Sequence, residues 1–335
     1  MTHMRYSRFS QTWGRVRLGD ANVVEGTQVS RSYGKYLASL LLFGSNGIVA
    51  SGIALPSTQI VLLRTLLGAA LLVVVLLASR QRLVGREHPR EVAALAVSGS
   101  ALGVSWVFLF QAYRLVGVGT STLLYYLGPV IVMALAPILL HERLGAPKLA
   151  CFAAVLVGAY LVVSQGSDGL GSTQGILCGL GAAVFYAVMV IAGKGSHDVG
   201  GLEAATIQLV ASFVVVALYM PFAGALSPIA ASSVPLIVML GLVNTGLGCY
   251  LYFSAMGRLS VQSVSVLGYL EPVSAVLLSA VLLAEPLGPG RILGAVLVLG
   301  GAMACELVGR RHEGAGRRSH GSVVAADARA DRMAA

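Results

Sequence analysis

Two charged side chains lie inside long apolar runs of the sequence, and they are the residues best placed to do chemistry. Arg64 lies in a run over residues 58–79, and Glu271 lies in a run over residues 260–284. A charged side chain at the centre of a bilayer costs about 2.5–3.5 kcal/mol on insertion scales, so each needs a function or a partner. We interpret Arg64 as a ligand for a carboxylate, and Glu271 as a ligand for an amine or for a coupling proton.

The two charges are predicted to lie at similar depths. Arg64 is about six residues into its helix, roughly 9 Å from one membrane boundary, and Glu271 is about eleven residues into its helix, roughly 16 Å from the other. In a hydrocarbon core of about 30 Å these depths differ by about 5 Å, so we expect both to face one cavity. A second interpretation stays open, in which the pair bridges two helices or Arg64 extends to the headgroups.

Seven polar or aromatic residues within apolar runs complete the set of cavity candidates. A polar group in lipid must find a hydrogen-bond partner, so each of them either contacts a ligand or joins two helices. Trp106 and Tyr186 have a further alternative, which is to face lipid. The candidates are Asn46, Trp106, Tyr126, Tyr186, Gln208, Asn244 and Tyr269.

Two prolines, Pro129 and Pro272, lie in the middle of predicted helices. A proline in a helix interior removes one backbone hydrogen bond and kinks the helix. In a membrane helix the bend serves as a hinge or presents a freed carbonyl to a ligand. We predict hinges at these two positions, with a fixed packing kink as the alternative.

The composition places these residues in a membrane. Of the 335 residues, 56% are hydrophobic and 11% are charged, and the mean hydropathy is +0.82. A soluble domain carries about 25% charged residues. The surplus of apolar side chains therefore has to face lipid.

The same sequence argues against other classes of protein. The four cysteines lie within apolar runs without metal-ligand spacing, and the six histidines are scattered over tails and loops. Nucleotide-binding and hydrolase motifs are missing, so we expect no cofactor, no metal and no enzyme activity. The net charge of +9 comes from tails and short loops, which is typical of membrane topology and not of a nucleic-acid groove. The short tails argue against a sensor or scaffold.

Ten apolar segments are long enough to cross a bilayer as helices, and they are too long and too uniform for barrel strands. With the N-terminus inside, 20 of the 23 basic residues fall on the cytoplasmic side, which predicts that both termini are cytoplasmic. We expect a multi-pass protein of the cell membrane, with disordered basic tails over 1–35 and 309–335. The predicted segments are 36–55, 58–79, 91–112, 117–140, 147–165, 174–193, 202–222, 234–255, 260–284 and 289–308.

An internal repeat relates the two halves of the chain. Sliding the sequence along itself aligns 111–160 with 254–303 without a gap, and seventeen of the fifty pairs are identical. The halves, 36–165 and 174–308, then carry five helices each, so the second half is inverted relative to the first. The prediction is an all-α membrane protein built from two inverted five-helix repeats, a common design for secondary transporters. Glu271 corresponds to Gly128, so its charge is present in one half only.

Several short segments carry a resemblance to a known family. They are Phe43-Gly44-Ser45-Asn46 in the first helix, Leu63-Arg64-Thr65-Leu66 in the second, and the runs from Pro129 to Glu142, from Leu270-Glu271-Pro272 to Glu285, from Lys148 to Gly158 and from Arg291 to Gly301. With these segments the chain resembles the drug/metabolite transporter superfamily, in its EamA-like ten-helix branch, over residues 36–308. One departure is Pro286, where the first half has Arg143. The resemblance implies export of amino acids, drugs or other small metabolites, often against a proton gradient.

The expected function is therefore secondary active export of a small metabolite by alternating access. The expected partners are the substrate, the lipid bilayer and protons, and ten helices in two halves can form a complete pathway in one chain. The alternative is a flippase for a lipid carrier or a lipid-linked metabolite. A flippase would have a lateral opening lined by apolar residues, whereas a metabolite transporter would have a closed polar cavity.

Overall fold

The computed structural model describes residues 30–140, 146–164, 170–194, 198–256 and 261–304, together with residues 196, 259 and 307. Most of the two predicted tails lies outside the described residues. Within the described residues the chain is helical and contains no β-strand. The all-α prediction is confirmed for this part of the chain.

The described residues form ten helical segments, α1 to α10, and each overlaps one of the apolar runs. Three of them are interrupted: α1 by a turn at Ser45, α4 and α9 by a turn at a tyrosine. A fourth, α8, contains a π-helical stretch, Met239–Leu247. The bounds are α1, 30–44 and Asn46–Ser51; α2, Ser57–Ala78; α3, Pro89–Val116; α4, Val118–Tyr125 and Leu127–Leu140; α5, Ala146–Ser164; α6, Leu170–Gly193; α7, Gly201–Ala223; α8, Val234–Met256; α9, Val261–Gly268 and Leu270–Leu282; and α10, Pro289–Ala304.

Six stretches of helix are long and apolar enough to cross a membrane in the part of the chain that is described. They lie in α2, α3, α4, α6, α7 and α8, and shorter apolar helices lie in α5, α9 and α10. Large apolar side chains on the outside of the bundle are widely exposed, among them Leu156 at 67%, Leu218 at 69% and Val281 at 78%. A bundle surrounded by lipid accommodates such exposure, whereas water would penalise it.

The sequence repeat reappears in the shapes of α4 and α9. Helix α4 has a first part, Val118–Tyr125, and a second part that begins at Leu127. The repeat alignment maps that first part onto 261–268, which is the first part of α9, Val261–Gly268. Both helices are therefore broken at the same point of the repeat, at Tyr126 and Tyr269.

The two prolines explain why these helices break where they do. Pro129 and Pro272 are the third residues of the second parts of α4 and α9. Proline has no N–H to donate to the carbonyl four residues earlier, which lies at Tyr125 or Gly268, and its ring crowds that carbonyl. The predicted kinks are therefore present, each within one turn of its proline. Whether they act as hinges stays a prediction.

Helices from opposite halves pack closely in the centre of the bundle. Helix α3 packs against α6 and α7, and α2 packs against α7 and α8. A Cβ atom added at Gly103 would lie 2.8 Å from the carbonyl oxygen of Ser212, so the backbones of α3 and α7 are nearly in contact there. The hydroxyl of Ser212 donates to the carbonyl of Gly99 at 2.6 Å. Small residues permit this approach, which compensates for the weak apolar attraction between helices in lipid.

Hydrogen bonds to loop residues lie at both ends of the bundle. We call the end at which α1 begins the inner end and the opposite end the outer end, after the predicted orientation. At the inner end Glu203 accepts from the backbone N–H groups of Val84 and Gly85, both at 3.0 Å. At the outer end Gln59 exchanges two hydrogen bonds with the backbone of Ser227, at 2.9 and 3.0 Å. Each contact joins one half of the chain to the other.

The first helix begins earlier than its apolar run predicts. Residues 30–35 belong to the predicted disordered tail, but in the structure they form the start of α1. The hydroxyls of Tyr33 and Ser263 are 2.9 Å apart, and Tyr36 donates to the carbonyl of Val264 at 2.8 Å. These contacts with the first part of α9 stabilise additional helix that hydropathy alone does not indicate. Residues 30–35 therefore belong to α1 and not to the predicted tail.

Candidate functional site

A cavity of about 430 Å³ lies among α1, α2, α3, α4, α6, α7, α8 and α9. Sites for small molecules usually have volumes of about 300–1,000 Å³. Six of the nine candidates chosen from the sequence line it, and they come from both halves of the chain. These are Asn46, Arg64, Trp106, Tyr186, Gln208 and Glu271.

Arg64 is buried in the wall of this cavity, with 2% of its surface exposed. Its Nε donates to the hydroxyl of Thr245 at 3.1 Å. The guanidinium carbon lies 4.2 Å from the ring centre of Trp106 and 4.8 Å from that of Phe110. Among the described residues, its two terminal nitrogens have no hydrogen-bond or ion-pair partner. The side chain therefore neither reaches the headgroups nor forms an ion pair between helices within the described structure.

The π-helical stretch of α8 positions the hydroxyl that meets Arg64. Thr245 donates its own proton to the carbonyl of Leu240, five residues earlier, at 2.7 Å. Its lone pairs are then free to accept from Arg64. A Cβ atom added at Gly68 would lie 2.8 Å from the methyl group of Thr245, so α2 and α8 approach closely beside this contact. Single π-helical turns occur frequently at functional sites.

Glu271 faces the same cavity from the start of the second part of α9. Tyr126, at the break in α4, lies near its carboxylate. Helix α1 passes close behind it, because a Cβ atom added at Gly44 would lie 2.8 Å from the carbonyl oxygen of Glu271. At the corresponding point of the first half, Gly128 packs against the ring of Tyr186. Where the second half carries the charge of Glu271, the equivalent position of the first half lies against the aromatic ring of Tyr186.

The two charges act across the cavity without touching. Arg64 and Glu271 interact electrostatically, but no ion pair joins them among the described residues. The wall of the same cavity carries aromatic side chains, including Trp106, Phe110 and Tyr125. A cavity with a cation at one point, a carboxylate at another and an aromatic wall suits a molecule that carries an anion, a cation and an apolar body.

Two amides lie on the wall of the cavity. Asn46 has a buried Oδ1 atom with no hydrogen-bond partner among the described residues. Gln208 donates to the hydroxyl of Ser98 at 2.9 Å, and Ser98 donates to the carbonyl of Met189 at 2.8 Å. The second amide thus joins α7, α3 and α6 in addition to lining the cavity.

The other three candidates do not line the cavity. Asn244 is fully buried and donates to the carbonyl of Leu42 and to the hydroxyl of Ser45, both at 2.8 Å, so it holds the turn in α1. Tyr126 lies near Glu271 without lining the cavity. Tyr269 is also buried, and its ring centre lies 6.3 Å from that of Tyr126. These residues support the site from the adjoining helices.

Several aromatic residues of the cavity are missing from the candidates chosen by sequence. Phe110 and Tyr113 lie on the same face of α3 as Trp106, four and seven residues further on. Residues at this spacing share one face of a helix, so a cavity position for Trp106 predicts cavity positions for Phe110 and Tyr113 as well. Tyr125 lines the cavity, whereas its neighbour Tyr126 does not. Successive residues of a helix point about 100° apart, so an error of one position changes which side chain faces the cavity.

Comparison with known proteins identifies the family. The model of the EamA-like transporter family matches residues 33–164 and again residues 173–305. The chain belongs to the EamA-like transporter family. This membership points to transport and not to catalysis, and with the apolar helices it makes the chain a multi-pass membrane protein. The predicted family, with its two copies of the repeat unit, is confirmed.

Similar proteins include named exporters. The chain is 28% identical to the "Uncharacterized transporter YxxF" of Bacillus subtilis, over 86% of this chain and 93% of the relative. It is 31% identical to a "Probable terminal-alkyne amino-acid exporter" of Streptantibioticus cattleyicolor, over 70% and 81%. It is 26% identical to the "Aromatic amino acid exporter YddG" of Ancylobacter novellus, over 61% and 72%. These similarities support a small-molecule exporter.

A solved crystal structure has the same fold as this EamA-like transporter. The TM-score is 0.58 at 23% identity, and the match covers 84% of this chain and 99% of the other. At this identity the likeness concerns the fold alone.

Proposed function

We propose that this EamA-like transporter is a secondary active exporter of amino acids or similar zwitterionic metabolites. The observation that carries the proposal is the guanidinium of Arg64, which has no ion-pair partner among the described residues and shares one cavity with the carboxylate of Glu271. A buried charge without a partner costs several kcal/mol, and a ligand of opposite charge removes much of this cost. Arg64 would bind the carboxylate of the substrate, Glu271 its ammonium group, and the aromatic wall its side chain.

The proposed mechanism is alternating access by two inverted halves. All ten helical segments would cross the plasma membrane, with both termini in the cytoplasm. The matching breaks in α4 and α9 support this arrangement, because two pseudo-symmetric halves can exchange conformations around a central site. Pro129 and Pro272 would act as hinges at these breaks.

Glu271 is the proposed site of proton coupling. It is the one acidic side chain on the cavity wall among the described residues, and it is partly buried there. Desolvation penalises a carboxylate and favours its neutral form. A proton entering from outside would therefore compete with the substrate's ammonium group for the same carboxylate, which couples proton entry to substrate release.

The names of the similar proteins support a substrate of the amino-acid class. Two of them are named as amino-acid exporters, one of them for aromatic amino acids. The aromatic lining from Trp106 and Phe110 supports the same class for this chain.

The flippase alternative is less well supported. An apolar groove of about 500 Å³ does lie between α3 and α7, on the side of the bundle. It shares no lining residue with the central cavity. A lipid-linked substrate would need a lateral path from this surface to the polar centre, whereas a small zwitterion needs only the cavity.

Counterflow uptake into proteoliposomes tests the proposal. Vesicles that carry the purified protein are loaded with unlabelled compound and screened against labelled amino acids, their amines, nucleosides and lipid-linked sugars, with and without a pH gradient. We expect saturable exchange of an amino acid and stimulation by the gradient. Exchange of a lipid-linked sugar alone would support the flippase and contradict the proposal.

A substitution of Glu271 separates coupling from binding. Glu271→Gln should keep some exchange but lose its response to the pH gradient, because glutamine does not exchange a proton. Glu87→Gln is the matched control, since Glu87 is exposed and pairs with Arg82 far from the cavity. A Glu271→Gln protein with the parent's response to the gradient would show that another group carries the proton.

A further inference from the structure

The carboxylate of Glu285 joins the two halves of the chain at the outer end of the bundle. It follows α9 in the second half and accepts from the backbone N–H groups of Val118 and Gly119, at 2.6 and 3.0 Å. These are the first two residues of α4 in the first half. The N-terminus of a helix has unpaired N–H groups and a partial positive charge, so a carboxylate there is stabilised twice over.

The chain around this contact leaves room for the carboxylate and little else. Gly117 has a φ of +84°, which disfavours other residues, and a Cβ atom there would lie 2.7 Å from Oε1 of Glu285. A Cβ atom at Gly119 would lie 3.0 Å both from Oε2 of Glu285 and from the hydroxyl oxygen of Ser279. A side chain at either glycine would push the carboxylate away. The approach of Glu285 to α4 therefore depends on two glycines.

This contact lies directly beyond the outer limit of the cavity. Thr122 lines the cavity from α4 and is one helical turn from Val118. Ala275 lines it from α9 and is one turn from Ser279. The two helices thus run side by side from the cavity wall to the Glu285 contact. A molecule leaving the cavity in this direction would have to separate them.

The cavity extends the opposite way towards the inner end. Met189 and Val190, in the last turn of α6, line both the cavity and a neighbouring cleft that reaches Lys194. The second part of α9 packs against the first part of α4 at the outer end. Helices α4 and α9 are therefore in contact along the stretch that leads from the cavity wall to Glu285.

From these observations we propose that Glu285, together with the first turn of α4, is the outer gate of the cavity. Release of its two hydrogen bonds lets α4 and α9 separate and opens the cavity to the outside. The gate rests on the proposed transport function, because it assigns Glu285 the regulation of access to that same site. In the sequence, the position of Glu285 at the end of an apolar run indicates only a helix boundary, and the proposal gives this residue a further role.

Thiol labelling from the outside tests the gate without any substrate. In a cysteine-free background, Thr122→Cys places a thiol on the cavity wall one turn below the gate. A membrane-impermeant thiol reagent applied to intact cells should label it slowly. Adding Glu285→Gln should raise the labelling rate roughly tenfold, since the loss of a charge-assisted hydrogen bond is equivalent to about that factor. Gly119→Ala should also raise the labelling rate, and it leaves the charge of Glu285 in place.

Glu203 offers a matched control. It also accepts from two consecutive backbone N–H groups across the halves, those of Val84 and Gly85, but at the inner end. Glu203→Gln should leave the labelling rate of Thr122→Cys from outside at the parent value. Equal labelling of the parent and both gate variants would overturn the proposal. So would an equal increase with Glu203→Gln, because that would indicate a general loosening of the bundle.

A reversible crosslink gives an independent measurement. The positions of Gly119 and Ser279 are close enough for a disulfide between Gly119→Cys and Ser279→Cys. Oxidation should close the gate and stop counterflow, and reduction should restore it. If the crosslinked protein exchanges substrate as fast as the protein with the disulfide reduced, the gate is overturned. If labelling responds as expected but no compound is exchanged in the reduced state, the gate stands and the proposed substrate class fails.

Discussion

Replacement of Arg64 by methionine should strongly weaken substrate binding and leave folding almost unchanged. Burial of the guanidinium costs several kcal/mol. The hydrogen bond to Thr245 returns about 1.5–3 kcal/mol, and the two aromatic faces, at 4.2 and 4.8 Å, return up to about 2 kcal/mol each. These contributions nearly cancel. Methionine fills similar space without charge, so Arg64→Met should change the free energy of unfolding of the empty protein by less than about 2 kcal/mol.

The effect on the substrate should be much larger. A carboxylate that accepts two hydrogen bonds from a guanidinium gains about 1.5–3 kcal/mol from each. Arg64→Met should therefore weaken binding at least about 100-fold. The assay combines counterflow with thermal unfolding of the purified protein, where a loss of about 2 kcal/mol corresponds to a shift of at most about 8 °C.

Arg114→Met is the matched control for this experiment. Arg114 is exposed at the outer end of α3 and, among the described residues, donates only to the carbonyl of Leu55 at 3.2 Å. Its loss should therefore alter neither substrate binding nor the free energy of unfolding. If Arg64→Met lowers stability by about 3–5 kcal/mol and transport falls only in proportion to the folded protein, Arg64 is a structural residue. That result would refute the reasoning.

Two further substitutions test the support around Glu271. Tyr126→Phe removes a hydroxyl that lies near the carboxylate of Glu271, so it should lower the exchange rate severalfold and alter its pH profile. Tyr160→Phe, at a tyrosine that is 70% exposed, is the matched control and should keep the parent's profile. Gly44→Val places a side chain against the carbonyl of Glu271 and should reduce the maximal rate or the folded yield, while Gly34→Ala, where an added Cβ atom has no neighbour within 4 Å, should have the parent's rate in the same counterflow assay. A pH profile unchanged by Tyr126→Phe, or a parental rate in Gly44→Val, would contradict this description of the site.

The helices and their repeat follow directly from the sequence. A run of about 20 apolar residues forms a helix in lipid because its backbone groups have no other partners. Pro129 and Pro272 predicted kinks in α4 and α9, and both helices break just before their proline. The cost of burying a charge also singled out Arg64 and Glu271, which the structure places on one cavity.

Other features depend on contacts that no local pattern encodes. The contact between Glu285 and Val118 joins residues 167 positions apart in sequence, so it is absent from hydropathy and periodicity alike. The π-helical stretch changes which residues of α8 face Arg64, and an expected period of about 3.6 residues cannot anticipate it. Tyr125 was missed for the same reason. The turn at Tyr126 interrupts the regular helical period, so the period does not predict which of the two tyrosines faces the cavity. The early start of α1 depends on the partners of Tyr33 and Tyr36 in α9.

The central claim is that Arg64 and Glu271 recognise the two charges of one zwitterion. Its most direct test is equilibrium binding of phenylalanine, its decarboxylated amine and its deaminated acid to the purified transporter and to Arg64→Met and Glu271→Gln. We predict that the parent protein prefers the zwitterion, that Arg64→Met no longer distinguishes it from the amine, and that Glu271→Gln no longer distinguishes it from the acid. Equal preference for the zwitterion in all three proteins would contradict the account.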